Sequence, residues 1–321
     1  MAEKTYLQAI SDSLRLEMRR DQRVFVLGED VGLYGGAFKV TQGFQEEFGA
    51  SRVLDMPLSE TAIVAGATGA ALMGMRPVAE MQFADFVSCA WDHLVTVAAK
   101  QHYRTGTPIP IVLRLPSGGG FSGGPFHSQN PESSFAHIPG LKVVCPATPE
   151  DAKGLLATAI EDPNPVLFFE HKRLYTLEGD VDDDAAELGK ACIAREGRDI
   201  TIVTAMKGVH DSLEAADTLE RDGVSAEVID LRTLRPLDVD TVVASVKKTN
   251  RIAVVEEGPR TGGWAGEVLA SVTERALGHL DDGWRIATPD TPIPYSPALE
   301  DAFLPGADRI ATEIRRRLRR A

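Results

Sequence analysis

Short apolar runs alternate with amphipathic stretches along most of this chain, and this alternation constrains the fold more than any other feature. Residues 24–27 and 109–115 have the length and the aliphatic, β-branched content of buried strands. Residues 5–20 and 149–161 carry apolar side chains at helical intervals. A strand–helix alternation predicts a mostly parallel sheet covered by helices on both faces. We therefore predict an α/β fold with open, mostly parallel sheets.

An acidic segment interrupts this pattern. Residues 178–187 contain few aliphatic side chains and are interpreted as a linker. The alternation then restarts at residues 200–204 and continues to residues 284–287. At roughly 150 residues per domain, a chain of 321 residues corresponds to about two domains. The predicted domains are residues 1–185 and residues 186–321.

The predicted elements follow directly from this pattern. Helices are expected at residues 5–20, 61–73, 87–103, 149–161, 208–222, 239–248 and 262–277, with an arginine-rich closing helix. Strands are expected at residues 24–27, 52–54, 77–83, 109–115, 141–144, 166–170, 200–204, 225–231, 251–256 and 284–287. The arginines of the closing helix are interpreted as a solvated face, with contact to an acidic partner as the alternative.

The charge balance excludes some functions. The chain has 47 acidic residues against 34 lysines and arginines, a formal net charge of −13. Such a surface disfavours binding to nucleic acids and to anionic membranes. No apolar run reaches the roughly 18 residues that a membrane-spanning helix needs, and the first residues lack the pattern of a signal peptide. We expect a cytoplasmic protein that contacts neither nucleic acid nor membrane.

Polar residues follow several predicted strands, where open α/β sheets bind their ligands. Glu29 follows the first strand, Gln82 and Phe86 lie near the end of another, and Glu60 begins a small-residue helix. Glu60 and Phe86 have structural alternatives, because an acid at a helix start is stabilised by the helix dipole and a phenylalanine is commonly a core residue. His127 follows a glycine-rich loop and is either a surface residue or a catalyst. The phosphate-binding patterns GxxxxGK[ST] and GxGxxG are absent at the expected places.

These segments together resemble a known family, the β subunit of the heterotetrameric E1 component of 2-oxoacid dehydrogenases. The resemblance runs in order over nearly the whole chain. It is carried by VLGEDVG (26–32), GGAFKVT (35–41), PLSE (57–60), FHSQ (126–129), PGLKVV (139–144), AKGLL (152–156) and VIDLRT (228–233). It implies a transketolase-like pyrimidine-binding domain followed by a transketolase C-terminal domain.

The resemblance also implies the chemistry. Such enzymes use thiamine diphosphate to decarboxylate a 2-oxoacid and transfer the acyl group to a lipoyl group. Glu60 matches the catalytic acid that exchanges a proton with the aminopyrimidine ring. His127 matches a catalytic histidine near the substrate and the lipoyl group. Phe86 matches the aromatic residue that stacks on the ring, and Glu29 and Gln82 complete the implied cofactor contacts.

Partners and ions are implied in the same way. The resemblance implies an α2β2 assembly with an E1 α subunit, which would hold Mg²⁺ and the diphosphate, and an E2 acyltransferase as the next partner. This division agrees with the absence of a GDG sequence followed by Asn. A structural potassium ion is implied at Ile111, Ala159, Ile160, Asp162 and Asn164. A plain turn is the alternative there.

The substrate is less constrained than the family. Residues 82–86, 129–132 and 168–170 look closer to the branched-chain enzymes than to the pyruvate enzymes. The alternatives are a pyruvate or acetoin enzyme of the same architecture and a non-catalytic assembly subunit. A self-contained transketolase-like enzyme is a further possibility, which predicts that this chain binds thiamine diphosphate by itself.

Overall fold

The computed structural model describes residues 2–182 and 185–319, which form two compact units. The first unit comprises the residues up to 117 together with residues 134–188. The second comprises residues 118–133 and the residues from 189 onward. Residues 118–133, which the sequence placed in the first domain, thus cluster with the second unit. The predicted domain division at 185/186 itself stays a prediction.

The first unit contains a parallel sheet and its covering helices. Its strands are β1 (Ala2–Thr5), β2 (Val24–Gly28), β3 (Val53–Asp55), β4 (Arg76–Glu80), β5 (Val112–Ser117), β6 (Lys142–Val144), β7 (Val166–His171) and β8 (Glu178–Val181). Its α-helices are α1 (Tyr6–Arg20), α2 (Phe44–Phe48), α3 (Glu60–Leu72), α4 (Ala99–Thr105) and α6 (Pro149–Glu161); α5 (Glu132–Ala136) includes the chain's return from the second unit. The strands β6-β7-β5-β4-β2-β3 pair in this order and are parallel, whereas β1 and β8 form a separate antiparallel pair.

The second unit repeats this architecture. Its strands are β9 (Cys192–Arg195), β10 (Ile200–Thr204), β11 (Ala226–Asp230), β12 (Thr233–Arg235), β13 (Arg251–Pro259) and β14 (Asp282–Thr288). Its helices are α7 (Lys207–Glu220), α8 (Val239–Thr249), α9 (Trp264–Ala276), α10 (Pro297–Phe303) and α11 (Ala307–Leu318). One sheet has the order β14-β13-β10-β11-β9, in which only the edge strand β9 is antiparallel to its neighbour.

Helix α1 shows how the sequence produces these elements. Thr5 caps the helix, since its hydroxyl accepts from the backbone N–H of Gln8 and the Gln8 side chain accepts from the Thr5 N–H. Ile10 and Leu14 repeat at helical spacing and are fully buried against the core of the first unit. Burial of each such side chain stabilises the fold by about 1.5–3 kcal/mol relative to an exposed one.

The predicted strand–helix alternation is confirmed, but two predicted elements were wrong. The helix expected at residues 87–103 is divided into a 3₁₀-helix (Ala84–Ala90), a π-helix (His93–Ala98) and α4. The linker expected at residues 178–187 begins with β8, which pairs with β1 and is therefore ordered by backbone hydrogen bonds. Within that linker, residues 183 and 184 lie outside the described residues, as does Arg320 of the closing helix.

Helix length also bears on membrane insertion. Within residues 2–182 and 185–319, no helix is both long enough and apolar enough to cross a bilayer.

Candidate functional site

The end of β2 is built so that polar residues emerge at the edge of the first sheet. Gly28 ends β2 and pairs in register with Asp55 of β3 and Glu80 of β4. A Cβ atom at Gly28 would lie 2.6 Å from the carbonyl oxygen of Glu80, so only glycine fits there. The chain then turns through Glu29 and Asp30, with Asp30 in the left-handed region at φ 57°. The predicted position of Glu29 after the strand is confirmed.

Glu29 is a buried carboxyl group that lacks a compensating contact. Its side chain is 5% exposed, and neither carboxylate oxygen has a hydrogen-bond partner in the part of the chain that the structure describes. Burial raises the pKa of Glu29, and the nearby charge of Glu60 raises it further. The structure therefore brings Glu29 and Glu60 into the same electrostatic environment.

Glu60 is the first residue of α3 and is half-buried. The cap residue Ser59 makes no side-chain hydrogen bond to the helix. Glu60 is the acidic residue of the first turn and provides the negative charge that a helix N-terminus favours. Leu58, two residues earlier, is 78% exposed. A carboxyl group at this place is both stabilised by the helix and open to a ligand.

The aromatic residues that follow β4 pack on one another. Phe83 and Phe86 make an edge-to-face contact with ring centroids 6.1 Å apart, and Phe83 also contacts Phe38 at 5.7 Å. Gln82 and Phe86 are half-buried. Phe86 thus has packed neighbours and an exposed part, and its stacking role stays a prediction.

A buried ion network behind this edge was missed by the sequence analysis. The Arg114 side chain on β5 binds Glu80 on β4 and makes a bidentate pair with Glu170 on β7, at 2.7 and 2.8 Å. The Tyr175 hydroxyl donates to Glu170 at 2.8 Å. Burial raises the pKa of Glu80 despite the adjacent guanidinium group. Charged residues inside otherwise apolar strands were the signal that could have revealed this network.

His127 lies in the second unit, whereas Glu29, Glu60, Gln82 and Phe86 lie in the first. We call residues 118–133 the His127 loop. His127 is half-buried, and its backbone N–H donates to the carbonyl oxygen of Gly124 at 3.3 Å. His127 follows the glycine-rich turn, as the sequence indicates, and this turn clusters with the second unit.

The second unit contains a buried carboxyl cluster that the sequence analysis also missed. Burial raises the pKa of Glu132 to about 7 and that of Glu256 to about 8. Glu132 accepts from the indole N–H of Trp264 at 3.3 Å, and Glu256 lies against the backbone of Gly263 just before α9. The charges of Glu256 and Glu257 are separated from Glu132 by more than 120 positions in sequence, so no local pattern reveals the cluster.

The predicted potassium ligands lie around the end of α6 and the neighbouring strands: Ile111, Ala159, Ile160, Asp162 and Asn164. Their donors are backbone carbonyls, a carboxylate and an amide, which suit a hard monovalent cation at the negative end of a helix. The Arg76 guanidinium group already donates to the carbonyl oxygen of Ile160 at 2.7 Å and lies 3.5 Å from that of Asp162. The carbonyl oxygen of Ile111 accepts from Val166 at 2.9 Å. The Asp162 carboxylate is also paired with the ammonium group of Lys142. Two cationic side chains therefore already bind these acceptors, and the potassium ion stays a prediction.

Among residues 2–182 and 185–319, no group of three or more His, Cys, Asp or Glu side chains could hold a metal ion.

Two family descriptions match the chain. "Transketolase, pyrimidine binding domain" matches residues 2–178, and "Transketolase, C-terminal domain" matches residues 189–310. A solved structure entitled "Split gene transketolase, inactive beta4 tetramer" has a TM-score of 0.82, with 20% identity and 97% of each chain covered. At this identity the likeness concerns the fold alone.

Curated relatives are similar over almost their whole length. The chain is 48% identical to "2-oxoisovalerate dehydrogenase subunit beta" of Bacillus subtilis, with 98% of each chain covered. It is 47% identical to "Pyruvate dehydrogenase E1 component subunit beta" of the same organism, with 95% of each covered. It is 45% identical to "Acetoin:2,6-dichlorophenolindophenol oxidoreductase subunit beta" of Cupriavidus necator, with 99% of each covered. With its two transketolase-type domains, the chain belongs to the family of E1 β subunits of thiamine diphosphate-dependent 2-oxoacid dehydrogenases, which act together with an E1 α subunit.

Proposed function

We propose that this chain is the catalytic β subunit of a branched-chain 2-oxoacid dehydrogenase. It would work with the E1 α subunit in an α2β2 assembly and pass the acyl group to the lipoyl domain of an E2 acyltransferase. The observation that carries the catalytic role is the buried, unpartnered carboxyl group of Glu29 in the electrostatic environment of Glu60, at the start of α3.

The residues of this sheet edge fit the pyrimidine half of the cofactor. Two carboxylate oxygens of Glu29 are buried without a partner, and Phe86 keeps an exposed part. When bound, thiamine diphosphate supplies the nucleophilic carbon and the electron sink for decarboxylation. In this proposal Gln82 and Phe86 orient the aminopyrimidine ring, and Mg²⁺ and the diphosphate are held by the α subunit.

Glu60 is proposed as the group that moves the proton. The charge of Glu60 raises the pKa of Glu29, which shows that the two carboxyl groups interact. In this proposal a carboxyl oxygen of Glu60 holds the proton exchanged with the ring nitrogen. His127, in the second unit, is proposed to orient the 2-oxoacid or assist acylation of the lipoyl group.

Replacing Glu60 with Gln tests the catalytic role. We expect the rate of decarboxylation by the reconstituted α–β enzyme to fall about 10²–10⁴-fold, since a general acid–base contributes that much. Folding and assembly should not change. The matched control is Glu46→Gln, because Glu46 is an exposed acid in the first turn of α2. Full activity of the Glu60 variant would favour the assembly-subunit alternative.

The branched-chain assignment rests on the segments at residues 82–86, 129–132 and 168–170, because identities of 48%, 47% and 45% do not separate the three enzyme types. Turnover of 3-methyl-2-oxobutanoate, pyruvate and acetoin should be compared with the partner α chain present. Preference for pyruvate or acetoin would overturn the branched-chain assignment and leave the family unchanged. Calorimetry with the β chain alone tests the self-contained alternative, which predicts binding of thiamine diphosphate.

A structural potassium ion at the end of α6 is also proposed. The carbonyl oxygen of Ile160, which also accepts from Arg76, and the carboxylate of Asp162, which is also paired with Lys142, would bind it. Replacing tetramethylammonium chloride with potassium chloride should then raise the melting temperature by about 2–5 °C. Identical melting curves in the two salts would contradict the site.

A further inference from the structure

The His127 loop adopts a backbone that needs support from outside. Gly118, Gly120 and Gly124 have φ values of 95°, 74° and 62°, which glycine adopts without strain. Ser122 lies among them with φ 57°, and a non-glycine residue rarely adopts this conformation. Such a conformation persists only when surrounding contacts fix it.

Glu300 provides one of these contacts. It lies in α10, is 1% exposed, and its Oε2 accepts from the Ser122 backbone N–H at 2.8 Å and the Ser122 hydroxyl at 3.3 Å. The strained residue of the loop is therefore bound by a buried carboxylate that lies 178 positions away in sequence. Charge-assisted hydrogen bonds of this kind are the stronger ones.

Glu257 provides the second contact, near the end of β13. Its Oε2 accepts from the backbone N–H of Gly119 at 3.1 Å and from the side-chain amide of Asn130 at 2.7 Å. These two residues lie near the two ends of the loop. One carboxylate oxygen thus connects the beginning and the end of the His127 loop.

The turn that carries His127 lies between these two attachments. The Gly123 N–H donates to the Ser128 hydroxyl at 3.0 Å, and the Ser128 N–H donates to the Gly124 carbonyl at 3.1 Å. A Cβ atom at Gly124 would lie 2.3 Å from the Tyr295 ring, so the turn also packs closely on the rest of the second unit. The internal bonds fix the shape of the turn, whereas the two glutamates fix its place.

We propose that Glu257 and Glu300 are positioning residues that hold His127 in its catalytic place. This inference rests on the proposed role of His127. Neither glutamate is proposed to touch the substrate. Each acts through the loop backbone, and loss of either acceptor lets the His127 side chain move away from its working position.

The test is a double-mutant cycle in the reconstituted enzyme, measuring kcat for acylation of the lipoyl domain. We expect Glu300→Ala and Glu257→Ala each to lower kcat about 10–100-fold, as small displacements of a catalytic group do. Glu300→Gln should recover most of the rate, because its carbonyl oxygen still accepts from the Ser122 N–H. In a His127→Ala background, Glu300→Ala should have no further effect.

The matched control is Asp238→Ala. Asp238 is 8% exposed in the same unit and accepts from the backbone N–H groups of Ala191 and Thr241 at 3.0 and 3.1 Å, away from the loop. It should lose stability but keep kcat. If Glu300→Ala lowers kcat by the same factor with and without His127, the positioning role is wrong.

The positioning role and the role of His127 can fail separately. If His127→Ala leaves kcat unchanged, the proposed role of His127 is wrong. In that case, faster amide hydrogen exchange of residues 122–128 in Glu300→Ala than in Asp238→Ala would still support loop positioning. Unchanged exchange and unchanged kcat in Glu300→Ala would overturn it.

Discussion

The two units bury carboxyl groups in opposite ways. In the first unit, Glu80 and Glu170 enclose the guanidinium group of Arg114, which donates to both. In the second unit, Glu132 and Glu256 are buried near each other, and burial raises the pKa of Glu256 although the backbone N–H groups of Trp264 and Ala265 and the charge of Arg285 act to lower it. In the first arrangement the guanidinium charge of Arg114 balances the charges of the two carboxylates. In the second, burial raises the pKa values of the two carboxyl groups and so favours their neutral, protonated forms.

This difference teaches which buried acids respond to pH. A buried carboxylate paired with arginine is tolerated while the pair is intact. Removal of the arginine leaves the carboxylate with its full desolvation cost. A carboxyl group that faces another acid is stable when protonated and costly when ionised. Glu29 in the first unit belongs with the second kind, because the described charges that act on it, Glu60 and Asp30, are both acidic. Glu29 also lies at the edge of the first sheet where we propose the catalytic site, and perturbed pKa values cluster at such sites.

Replacing Arg114 with Met should have the largest effect on stability. It leaves Glu80 and Glu170 buried without a cation, and breaking such a pair costs about 3–5 kcal/mol of unfolding free energy. Urea unfolding at pH 7.5 measures this change. The neutral triple variant Glu80→Gln, Arg114→Met and Glu170→Gln should recover most of the loss. A single variant as stable as the wild type would show that the ion network is not required.

Replacing Glu256 with Gln should have a smaller effect with a distinct pH dependence. The folded pKa values of about 8 for Glu256 and about 7 for Glu132 exceed the ordinary glutamate value of 4.5. Their stabilising contribution is therefore complete below about pH 4.5 and is lost as the pH rises through 7 to 8. The variant should be more stable than the wild type at pH 9 by about 1–3 kcal/mol.

Thermal unfolding from pH 5 to 9 measures this difference. The charges that face the pair are Glu257, which raises the pKa of Glu132, and Arg285, which lowers that of Glu256. Glu274→Gln, at an exposed position of the same helix α9, is the control and should follow the wild-type curve. A Glu256 variant whose curve runs parallel to the wild type would show that this carboxyl group does not titrate in the range.

Replacing Glu29 with Gln should give the smallest gain in stability. Its pKa is raised, so the wild type loses stability as the pH rises and this acid ionises; the variant should gain about 0.5–1 kcal/mol at pH 8 and less at pH 5. Activity should fall in the same variant. Glu46→Gln is the control, since Glu46 is an exposed acid of the same unit and is not among the charges that shift the pKa of Glu29. A stability gain without loss of activity would remove Glu29 from the site.

Local sequence patterns predicted the elements of both units better than their irregularities. Helix α1 and strand β10 follow from helical spacing and from a short β-branched run. The π-helix at His93–Ala98 has no such pattern, because a shifted hydrogen-bond register leaves the apolar spacing almost unchanged. Strand β8 was missed because its partner, β1, lies at the other end of the unit's sequence.

The candidate site was predictable in part for the same reason. Glu29 and Glu60 follow a strand and begin a helix, so sequence places them at the sheet edge. The contacts of Glu257 and Glu300 with the His127 loop join residues more than 100 positions apart, and no local pattern encodes them. The first compact unit is also not continuous in sequence, because residues 118–133 cluster with the second unit.

The clustering of residues 118–133 with the second unit affects how the protein can be divided into fragments. Cutting at the junction near residue 188 does not release two whole modules, since the fragment that starts at residue 189 lacks Gly119 and Ser122. Its glutamates at 257 and 300 would then lose the loop N–H groups that donate to them. Expression of the C-terminal piece should require a grafted or co-expressed peptide that replaces residues 118–133.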